Sequence, residues 1–575
     1  MKKNNLQAWR LGKLVAMFTI TAVMFNFIGV NVFVGHLGLG TLFRLDFGNQ
    51  EANALIATSS VTVPNAVPNT PTNARELPIS SSASPTNAGG TITFYATTTD
   101  PNSDDWNLKL CSTNSTTGLN CTATTYCTGN VASSSKASNC TYTTAGGDSE
   151  TNAWYAFACD ATGCSTNGSQ GDLVDGSESP FIVNHAPTFT TLNTPAVNPG
   201  ATATFIATTT DTDVSGSQDN ISLYVCSTNS FSTSTGCAGV QLCTATAAGN
   251  LGSVSCTYNF GGRTVTPDGG YAAWGFIKDT HNMPAAANGQ GGATNLTVNN
   301  VTPVVSNFTM GAAVTLSPNS TTSKTFTFDA TDNNSCVNLA STSAEMTYTV
   351  ADFYRSGVVS GPACTNDSIS CYRNVLTCQQ SGCAGSTTAT VTFTCTTTLW
   401  FNAEPTDAGS RYPAEFWLAA AVVSDNNSAT STQGISSGNV EINQTMAYDV
   451  VELTIPYYSV GAGATSTNDA TTTLRSIGNT GVVKKVDGND MVSGGNTIPV
   501  AKQRWGTAAG FSYNAGTPLT IGAPVSIATS TKSVSTSTPA SVKNYWKIAI
   551  PGTQQSGIYE SVTNITGAVS ASGSW

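Results

Sequence analysis

The chain is poor in charged residues and in histidine. Only 10% of its 575 residues are Asp, Glu, Lys or Arg, and the formal net charge is -11. After Lys13 the only adjacent basic pair is Lys484-Lys485, so the sequence lacks the basic patch that a nucleic-acid-binding surface requires. None of the three histidines lies beside a zinc-binding or catalytic motif. We therefore expect a protein that is not an enzyme and that has no nucleic-acid partner.

Good helix formers are also scarce. Glu, Lys, Arg and Leu are thinly spread after the N-terminus, whereas Thr, Ser, Asn, Gly and Ala are abundant. Thr and Val favour pleated, half-buried strands, and a hydrophobic fraction of 39% is sufficient for packed cores. A length of 575 residues fits roughly four domains of about 100 to 150 residues each. The composition predicts an all-β protein of several domains.

The N-terminal segment has the pattern of an export signal. Basic residues between Lys2 and Lys13 precede an almost uncharged stretch at 14–43. We interpret residues 1–54 as a hydrophobic export signal or signal-anchor helix. Cleavage after Ala52-Asn53-Ala54 and retention in the membrane, which would make the bilayer a partner, remain open alternatives. In either case the rest of the chain is expected at the cell surface or in the extracellular space.

The remainder of the chain contains an internal repeat. Leu-Cys-Ser-Thr-Asn-Ser at 110–115 recurs as Val-Cys-Ser-Thr-Asn-Ser at 225–230, and each copy follows an Ala-Thr-Thr-Thr-Asp run. Self-similarity over the length of one β-sandwich indicates a tandem array of complete domains. The predicted segments are a flexible linker at 55–76, sandwiches at 77–185 and 186–302, a divergent sandwich with an insertion at 303–445, and a cysteine-free sandwich at 446–575.

The last domain differs from the others because the cysteines stop before it begins. Alternating apolar residues bounded by Gly, Asn and Ser turns still predict strands. These predicted strands lie at 450–460, 496–500, 545–550 and 556–569. A fourth β-sandwich without disulfides is the interpretation that follows.

Cysteine counts agree with export. The first three domains hold six, four and six of the 16 cysteines, and even counts per domain in an exported protein indicate disulfides within each domain. Cys159 and Cys164 are absent as a pair from the second copy, so we predict that they bond to each other. The other pairings stay open within each domain. The cysteines concerned are Cys111, Cys121, Cys127, Cys140; Cys226, Cys237, Cys243, Cys256; and Cys336, Cys364, Cys371, Cys378, Cys383, Cys395.

Acidic loops follow the first clear strand of the two best-matched copies. Carboxylates gathered in a turn at the end of a sandwich supply the hard oxygen ligands that calcium prefers, and calcium bound there would stiffen a junction between domains. The alternative is that these aspartates only cap turns and face water. The candidate calcium ligands, the only cofactor contact that the sequence suggests, are Asp100, Asp104, Asp105, Asp211, Asp213 and Asp219.

With these repeats, the region from 77 to 445 resembles the tandem immunoglobulin-like (Ig-like) or cadherin-like repeats of bacterial cell-surface proteins. The Cys-Ser-Thr-Asn stretches and the Trp-Tyr-Ala-Phe-Ala-Cys-Asp stretch at 154–160 are, more narrowly, similar to exported repeat proteins of ultra-small bacteria. The resemblance implies tandem Ig-like β-sandwiches with a structural or adhesive role at the cell surface. It implies no catalytic residues.

Two functional hypotheses follow. The first is a non-catalytic structural protein of the cell envelope, a surface coat comparable to an S-layer or a stalk, which associates with copies of itself or with envelope components. The second is an adhesin or carbohydrate-binding surface protein that contacts a glycan or a host surface. Aromatic residues such as Tyr457, Tyr458 and Trp575 would serve the second hypothesis if they are exposed, although aromatics in sandwiches more often belong to the core.

Overall fold

The computed structural model describes residues 60–133, 136–171, 177–214, 218–339, 349–358, 364–373, 376–571 and 575. The predicted export or anchor helix at 1–54 lies outside the described residues. The chain divides into two units, residues 1–64 and 65–575, and all the strands described belong to the second unit. Among the residues described, no helix has the length and apolar character of a membrane span. Regular helix there is limited to short 3-10 turns: Gly249–Leu251, Phe260–Gly262, Cys336–Asn338, Val500–Lys502 and Tyr513–Ala515.

The strands of the second unit confirm the all-β, tandem Ig-like fold predicted from the sequence. Their sheets fall into four groups along the chain, which we call domains 1 to 4. In domain 1 the sheets have the orders β1-β3-β8, β10-β4-β7 and β2-β11-β9, with a small β5-β6 hairpin. The strands are β1 (Thr72–Leu77), β2 (Thr86–Asn87), β3 (Thr91–Thr97), β4 (Trp106–Cys111), β5 (Thr116–Thr117), β6 (Asn120–Cys121), β7 (Thr125–Ala132), β8 (Ala137–Thr143), β9 (Thr151–Asn152), β10 (Tyr155–Cys159) and β11 (Phe181–Asn184).

Domain 2 has the most regular version of the fold. One sheet has the order β12-β14-β19 and the other β13-β21-β20-β15-β18, which correspond to strands A-B-E and A'-G-F-C-C' of an Ig-like sandwich. Its strands are β12 (Thr188–Leu192), β13 (Ala196–Val197), β14 (Ala203–Thr210), β15 (Asn220–Cys226), β16 (Phe231–Ser232), β17 (Gly236–Cys237), β18 (Gln241–Ala248), β19 (Ser253–Tyr258), β20 (Gly269–Lys278) and β21 (Gln290–Val298).

Domain 3 keeps this plan with longer strands. Its sheets have the orders β22-β23-β27-β26 and β25-β24-β28-β29, and Ile442 after β29 bridges Val314 in parallel, as a last strand does. The strands are β22 (Val304–Thr309), β23 (Thr321–Thr331), β24 (Thr349–Arg355), β25 (Cys371–Arg373), β26 (Thr377–Ser381), β27 (Thr390–Trp400), β28 (Trp417–Val423) and β29 (Gly434–Ile435).

Domain 4 has sheets of the orders β30-β31-β38-β35-β36 and β37-β32-β39, with a β33-β34 hairpin. Among the strands described, β39 is an edge strand that pairs with β32 alone. The strands are β30 (Tyr448–Val450), β31 (Ala470–Ser476), β32 (Val482–Gly488), β33 (Met491–Ser493), β34 (Asn496–Ile498), β35 (Gln503–Gly506), β36 (Thr517–Pro518), β37 (Val525–Ser530), β38 (Ser541–Ile548) and β39 (Thr563–Val569).

Two of the strand predictions for domain 4 need correction. The predicted strand at 450–460 ends with β30 at Val450, and the predicted strand at 556–569 begins only at Thr563. Between those ends, residues 451–460 form no strand, and residues 556–562 form a single bridge, between Glu560 and Val492. A strand sequence becomes a strand only when a neighbour accepts its backbone hydrogen bonds, and both stretches border a position that holds no strand.

The predicted linker at 55–76 is also too long at its C-terminal end. Residues 72–76 belong to β1, which pairs antiparallel with β3. The preceding residues are docked as well, since the side-chain amide of Asn69 donates to Thr99 Oγ1 at 3.0 Å. Alternation in β1 is masked by charged residues, because buried Ala74 and Glu76 flank Arg75. The segment therefore reads as polar linker although it forms a strand.

All sixteen cysteines form disulfides, and each bond stays within one domain. In domains 1 and 2 one bond joins the two sheets and another ties a strand end to a small hairpin. Cys159 bonds to Cys164, the pair that the repeat comparison singles out. The remaining pairs are Cys111–Cys121, Cys127–Cys140, Cys226–Cys237, Cys243–Cys256, Cys336–Cys383, Cys364–Cys371 and Cys378–Cys395.

Candidate metal site and hinge sockets at the domain junctions

A group of carboxylates closes the end of domain 2 that faces domain 1. Asp211 follows β14, Asp219 precedes β15 and Asp279 follows β20, and ligand oxygens of the three lie within 4.8 Å of one another. Their side chains are buried, with relative exposures of 4%, 6% and 2%. Strand ends of the two sheets meet at this edge of the sandwich, which is why residues distant in sequence converge. This is the one such group among the described residues.

Two of these carboxylates keep an unpaired oxygen. Asp211 Oδ1 accepts the N–H of Asp213 at 3.2 Å, but Asp211 Oδ2 and Asp219 Oδ2 are buried and receive no hydrogen bond from the described residues. Asp279 is fully engaged, since its oxygens accept from the Asn184 amide and the Met283 N–H, both at 2.7 Å. Buried oxygens without donors are uncommon and mark a place where a cation can bind.

Burial and mutual repulsion set the protonation of this group. Burial, together with the nearby charges of Asp213, Asp219 and Asp279, raises the pKa of Asp211 to about 6. Burial likewise raises the pKa values of Asp219 and Asp279. Like charges brought together in a low-dielectric site favour either protonation or a bound cation.

Only part of the predicted calcium set comes together. Asp211 and Asp219 do converge, whereas Asp213 turns to the hinge, where its Oδ2 accepts the His185 N–H at 2.5 Å. In domain 1 Asp100 is buried, but Asp104 and Asp105 are exposed and so cannot complete a buried site with it. The sequence prediction missed Asp279. Its signal was the aspartate that ends the aromatic strand in both copies.

Beside the carboxylates, a second arrangement recurs at every domain start. A side-chain oxygen accepts the backbone N–H of the residue that enters the domain, and we call this acceptor the hinge socket. The sockets lie in the loops after β3, β14, β23 and β31. In the first three of these loops an aspartate two residues before the socket accepts the socket residue's backbone N–H. The four pairs are Asn102 with Ala66 at 2.7 Å, Asp213 with His185 at 2.5 Å, Asn334 with Val301 at 2.7 Å, and Asn479 with Thr445 at 2.6 Å.

Three of the hinges carry a further contact from an asparagine. Its side-chain amide donates to the aspartate that ends the aromatic strand of the following domain. The pairs are Asn65 with Asp160 at 3.0 Å, Asn184 with Asp279 at 2.7 Å, and Asn300 with Asp425 at 2.7 Å. These asparagines share the pattern Asn-x-x-Pro at 65–68, 184–187 and 300–303. A close inspection of that pattern could have identified the hinge contacts from the sequence.

The junction between domains 2 and 3 repeats the unpaired oxygens. Asp332 Oδ2 and Asn300 Oδ1 are buried there without a donor among the described residues, as Asp211 Oδ2 and Asn184 Oδ1 are one junction earlier. Burial raises the pKa of Asp332 to about 6, and the charges of neighbouring carboxylates add to the shift. Asp332 thus occupies the place in domain 3 that Asp211 has in domain 2.

The junction between domains 3 and 4 has the socket but not the carboxylates. Ile477 stands two residues before the socket Asn479, where Asp332 stands two residues before Asn334. A buried lysine is present instead: Lys532 is 5% exposed and donates from Nζ to the Asn402 carbonyl at 2.7 Å. The fourth hinge thus has a buried lysine where the second and third have buried aspartates.

Comparisons with known proteins give no family. No family model matches the chain, and no curated protein matches it. Among solved structures, a marsupial T cell receptor aligns at 9% identity over 61% of this chain and 97% of its own, with a TM-score of 0.24. A bacterial ice-binding adhesin aligns at 13% identity over 62% of this chain and 94% of its own, with a TM-score of 0.20. The assignment of tandem Ig-like sandwiches rests on the strand orders of the sheets and not on these alignments.

The disulfides indicate the compartment in which the protein is found. Eight disulfides and no free cysteine in the described chain are typical of proteins outside the reducing cytosol. The fold and its junctions thus belong to an extracellular type of protein built from successive Ig-like domains.

Proposed function

We propose that the chain is a non-catalytic structural protein of the cell envelope, displayed at the cell surface as a series of disulfide-stapled Ig-like domains. The observation that carries the proposal is the hinge socket, which recurs with N···O distances of 2.5 to 2.7 Å at all four domain starts. In domains 2 to 4 this repeated, short hydrogen bond to the hinge backbone restrains the domain relative to the one before it. Such restraint suits a protein that spans or covers a surface more than one that closes around a substrate.

Surface display is tested on cells that express the full chain. Lysine-directed labelling with a membrane-impermeant reagent should modify the chain on intact cells, and thiol alkylation under denaturing conditions should find no free cysteine, because all sixteen are paired. A fully reduced chain in the cytosolic fraction would contradict the proposal. A cytosolic marker protein, unlabelled in the same cells, controls for lysis.

Calcium at the junction between domains 1 and 2 is the second part of the proposal. Asp211, Asp219 and Asp279 would hold the ion, with the unpaired Oδ2 atoms of Asp211 and Asp219 as its first ligands. The bound ion would neutralise the clustered charge and stiffen the hinge.

This part predicts that calcium raises the melting temperature of domain 2 in the full chain relative to chelator, since a ligand at 100 times its Kd stabilises by about 2.7 kcal/mol. Asp219→Asn should remove most of the increase. Asp104→Asn, which changes an exposed aspartate of domain 1, is the matched control and should leave it intact. An identical response of all three chains to calcium would refute the site.

A further inference from the structure

Among the described residues, domain 4 lacks the last strand that domains 1 and 2 contain and that isolated bridges at Val440 and Ile442 represent in domain 3. In domain 2 the last strand, β21, lies between β13, with which it pairs in parallel, and β20, with which it pairs antiparallel. Domain 1 places β11 parallel to β2 and antiparallel to β9 in the same way. In domain 4, residues 451–460 follow β30 and so correspond to β13, which follows β12. Strand β39 pairs with β32 and so corresponds to β20, which pairs with β15. In the described chain no strand lies between residues 451–460 and β39.

An apolar groove marks that position. Two adjoining cavities of about 670 and 780 Å³ run between residues 452–462 and 554–565. Apolar side chains along them are left in water: Leu453 is 89% exposed, Ile558 83% and Tyr458 78%. Ile455 and Ile565 pack against the core of the domain but remain only partly buried. Exposed apolar side chains beside an unpaired strand edge are the features of a surface that accepts an additional strand.

The main core cluster of domain 4 is smaller than that of domain 2. Six buried apolar residues form its core cluster, against seventeen in domain 2, where β21 contributes Leu296 and Val298. Trp505 and Trp546 belong to the smaller cluster, and the apolar side chains packed against it are only partly buried. A strand in the groove would supply the cover that Leu296 and Val298 provide in domain 2.

The sequence before domain 1 matches the missing strand. Residues 61–68, Val-Thr-Val-Pro-Asn-Ala-Val-Pro, align without gaps with residues 296–303, Leu-Thr-Val-Asn-Asn-Val-Thr-Pro, the end of β21 and its hinge. The hinge half of this motif is already docked, since Asn65 and Ala66 contact domain 1 as Asn300 and Val301 contact domain 3. The strand half is exposed: Val61 is 88% exposed and Val63 71%.

We propose that residues 55–63 of one copy of the chain insert into the groove of domain 4 of a second copy, between residues 451–460 and β39, and complete its sheet. The segment 55–63 has the nine residues of β21. Val61 and Val63 would take the inward positions of Leu296 and Val298, and Thr62 the outward position of Thr297. Because the hinge at 65–68 follows at once, the junction between copies would repeat the junctions inside the chain, and copies would join head to tail.

The inference deepens the structural role proposed above and supplies its mode of self-association. It is independent of where the protein is displayed. A chain that reaches the cell surface as a monomer would refute strand insertion alone, whereas a cytosolic, reduced chain that still polymerises would refute surface display alone.

The test uses the exported full chain and two variants that add the same side chain to opposite faces of the donor segment. Electron microscopy and analytical ultracentrifugation should find linear assemblies for the wild type and for Thr62→Arg, whose new charge would face water. Val63→Arg should remain monomeric, because insertion would bury an unpaired charge. Since Val63 is exposed in the chain itself, this variant does not disturb folding. Assembly of Val63→Arg to the wild-type extent, or a monomeric wild type, would overturn the proposal.

A peptide separates strand insertion from other modes of association. A synthetic peptide of residues 55–68 should bind the monomeric Val63→Arg chain and slow hydrogen exchange in β39. The same peptide carrying Val63→Arg should lose at least roughly a factor of ten in affinity, because its insertion would bury an unpaired charge. Equal binding of the two peptides, or protection confined to another domain, would also overturn the proposal.

Discussion

Domain 2 holds β21 between β13 and β20, whereas domain 4 leaves the equivalent space beside β39 open and lined by exposed apolar side chains. Domain 2 also has two disulfides, and domain 4 has none. The two domains share one basic strand order, and they differ in that the sheet of domain 2 contains its last strand whereas the described sheet of domain 4 does not. A sandwich closed by its own last strand and by covalent bonds is self-sufficient, while one without either depends on what binds to it.

The junctions that precede these domains also differ, in the charge of the residues that they bury. Those entering domains 2 and 3 bury aspartates, and the one entering domain 4 buries Lys532. Burial disfavours the charged form in both cases, but the consequence for pH is opposite, since an acid is favoured protonated and a base deprotonated. The following predictions, ordered from the largest expected effect to the smallest, test how far the contrast extends.

Removing a sheet-to-sheet disulfide should destabilise domain 2 and leave domain 4 unchanged. Cys243 on β18 bonds to Cys256 on β19, which belong to different sheets. Replacing both cysteines by alanine should lower the free energy of unfolding of domain 2 by about 2 to 5 kcal/mol. Hydrogen exchange followed peptide by peptide measures the domains separately. Equal acceleration of exchange in domain 4 would mean that the domains do not unfold independently.

Domain 1 should gain stability on acidification. Burial raises the pKa of Glu76, a residue of β1, to about 8, and the charge of Glu178 adds to the shift. The folded state binds the proton more tightly than the unfolded state, whose carboxyl has its usual pKa of 4.5. The free energy of unfolding should therefore fall as pH rises through this interval, by up to about 5 kcal/mol, since each pKa unit corresponds to about 1.4 kcal/mol.

Glu76→Gln should abolish that slope and keep an acceptor for the Ser80 N–H, which now donates to Glu76 Oε1 at 2.7 Å. Exchange rates of β1 and β3 measured between pH 5 and pH 8, corrected for the intrinsic pH dependence of exchange, provide the readout. An unchanged slope in the variant would assign the pH dependence to another group.

The junction before domain 4 should respond in the opposite sense. Burial lowers the pKa of Lys532 to about 8 from its usual 10.5, so the unfolded state binds the proton more tightly. The free energy of unfolding should rise by up to about 3 kcal/mol between these pH values. The charged groups that modify the shift are Glu404, Asp367, Arg411 and Arg355. Lys532→Met should flatten the rise, as followed by thermal unfolding in alkaline buffers; a rise of the same size in the variant would contradict this origin.

Much of the fold was accessible from the sequence, because repetition and alternation are local signals. The duplicated Cys-Ser-Thr-Asn stretches gave two domains, and the unmatched Cys159 and Cys164 gave one disulfide pair. The other disulfides depend on which strands face each other across the sandwich. That relation is set by the sheet topology and is not visible in cysteine spacing.

The candidate site was only half accessible for a related reason. Asp211 and Asp219 flank strands that are consecutive in the sequence, β14 and β15, so a cluster of loop aspartates suggested them. Asp279 follows β20, which pairs with β15 but comes much later in the chain. The groove of domain 4 was hidden for a different reason. Residues 450–460 have the alternation of a strand, and alternation does not report whether a partner strand is present.

An engineered cross-link between copies tests the central claim most directly, namely that the segment before domain 1 completes domain 4 of a neighbour. Cysteines replace Val63 in the donor and Val562, which lines the groove and precedes β39. Since every native cysteine is already paired, oxidation of the exported double variant should give a ladder of disulfide-linked multimers on a non-reducing gel, and each single variant at most a dimer. A double variant that stays monomeric after oxidation would contradict the account.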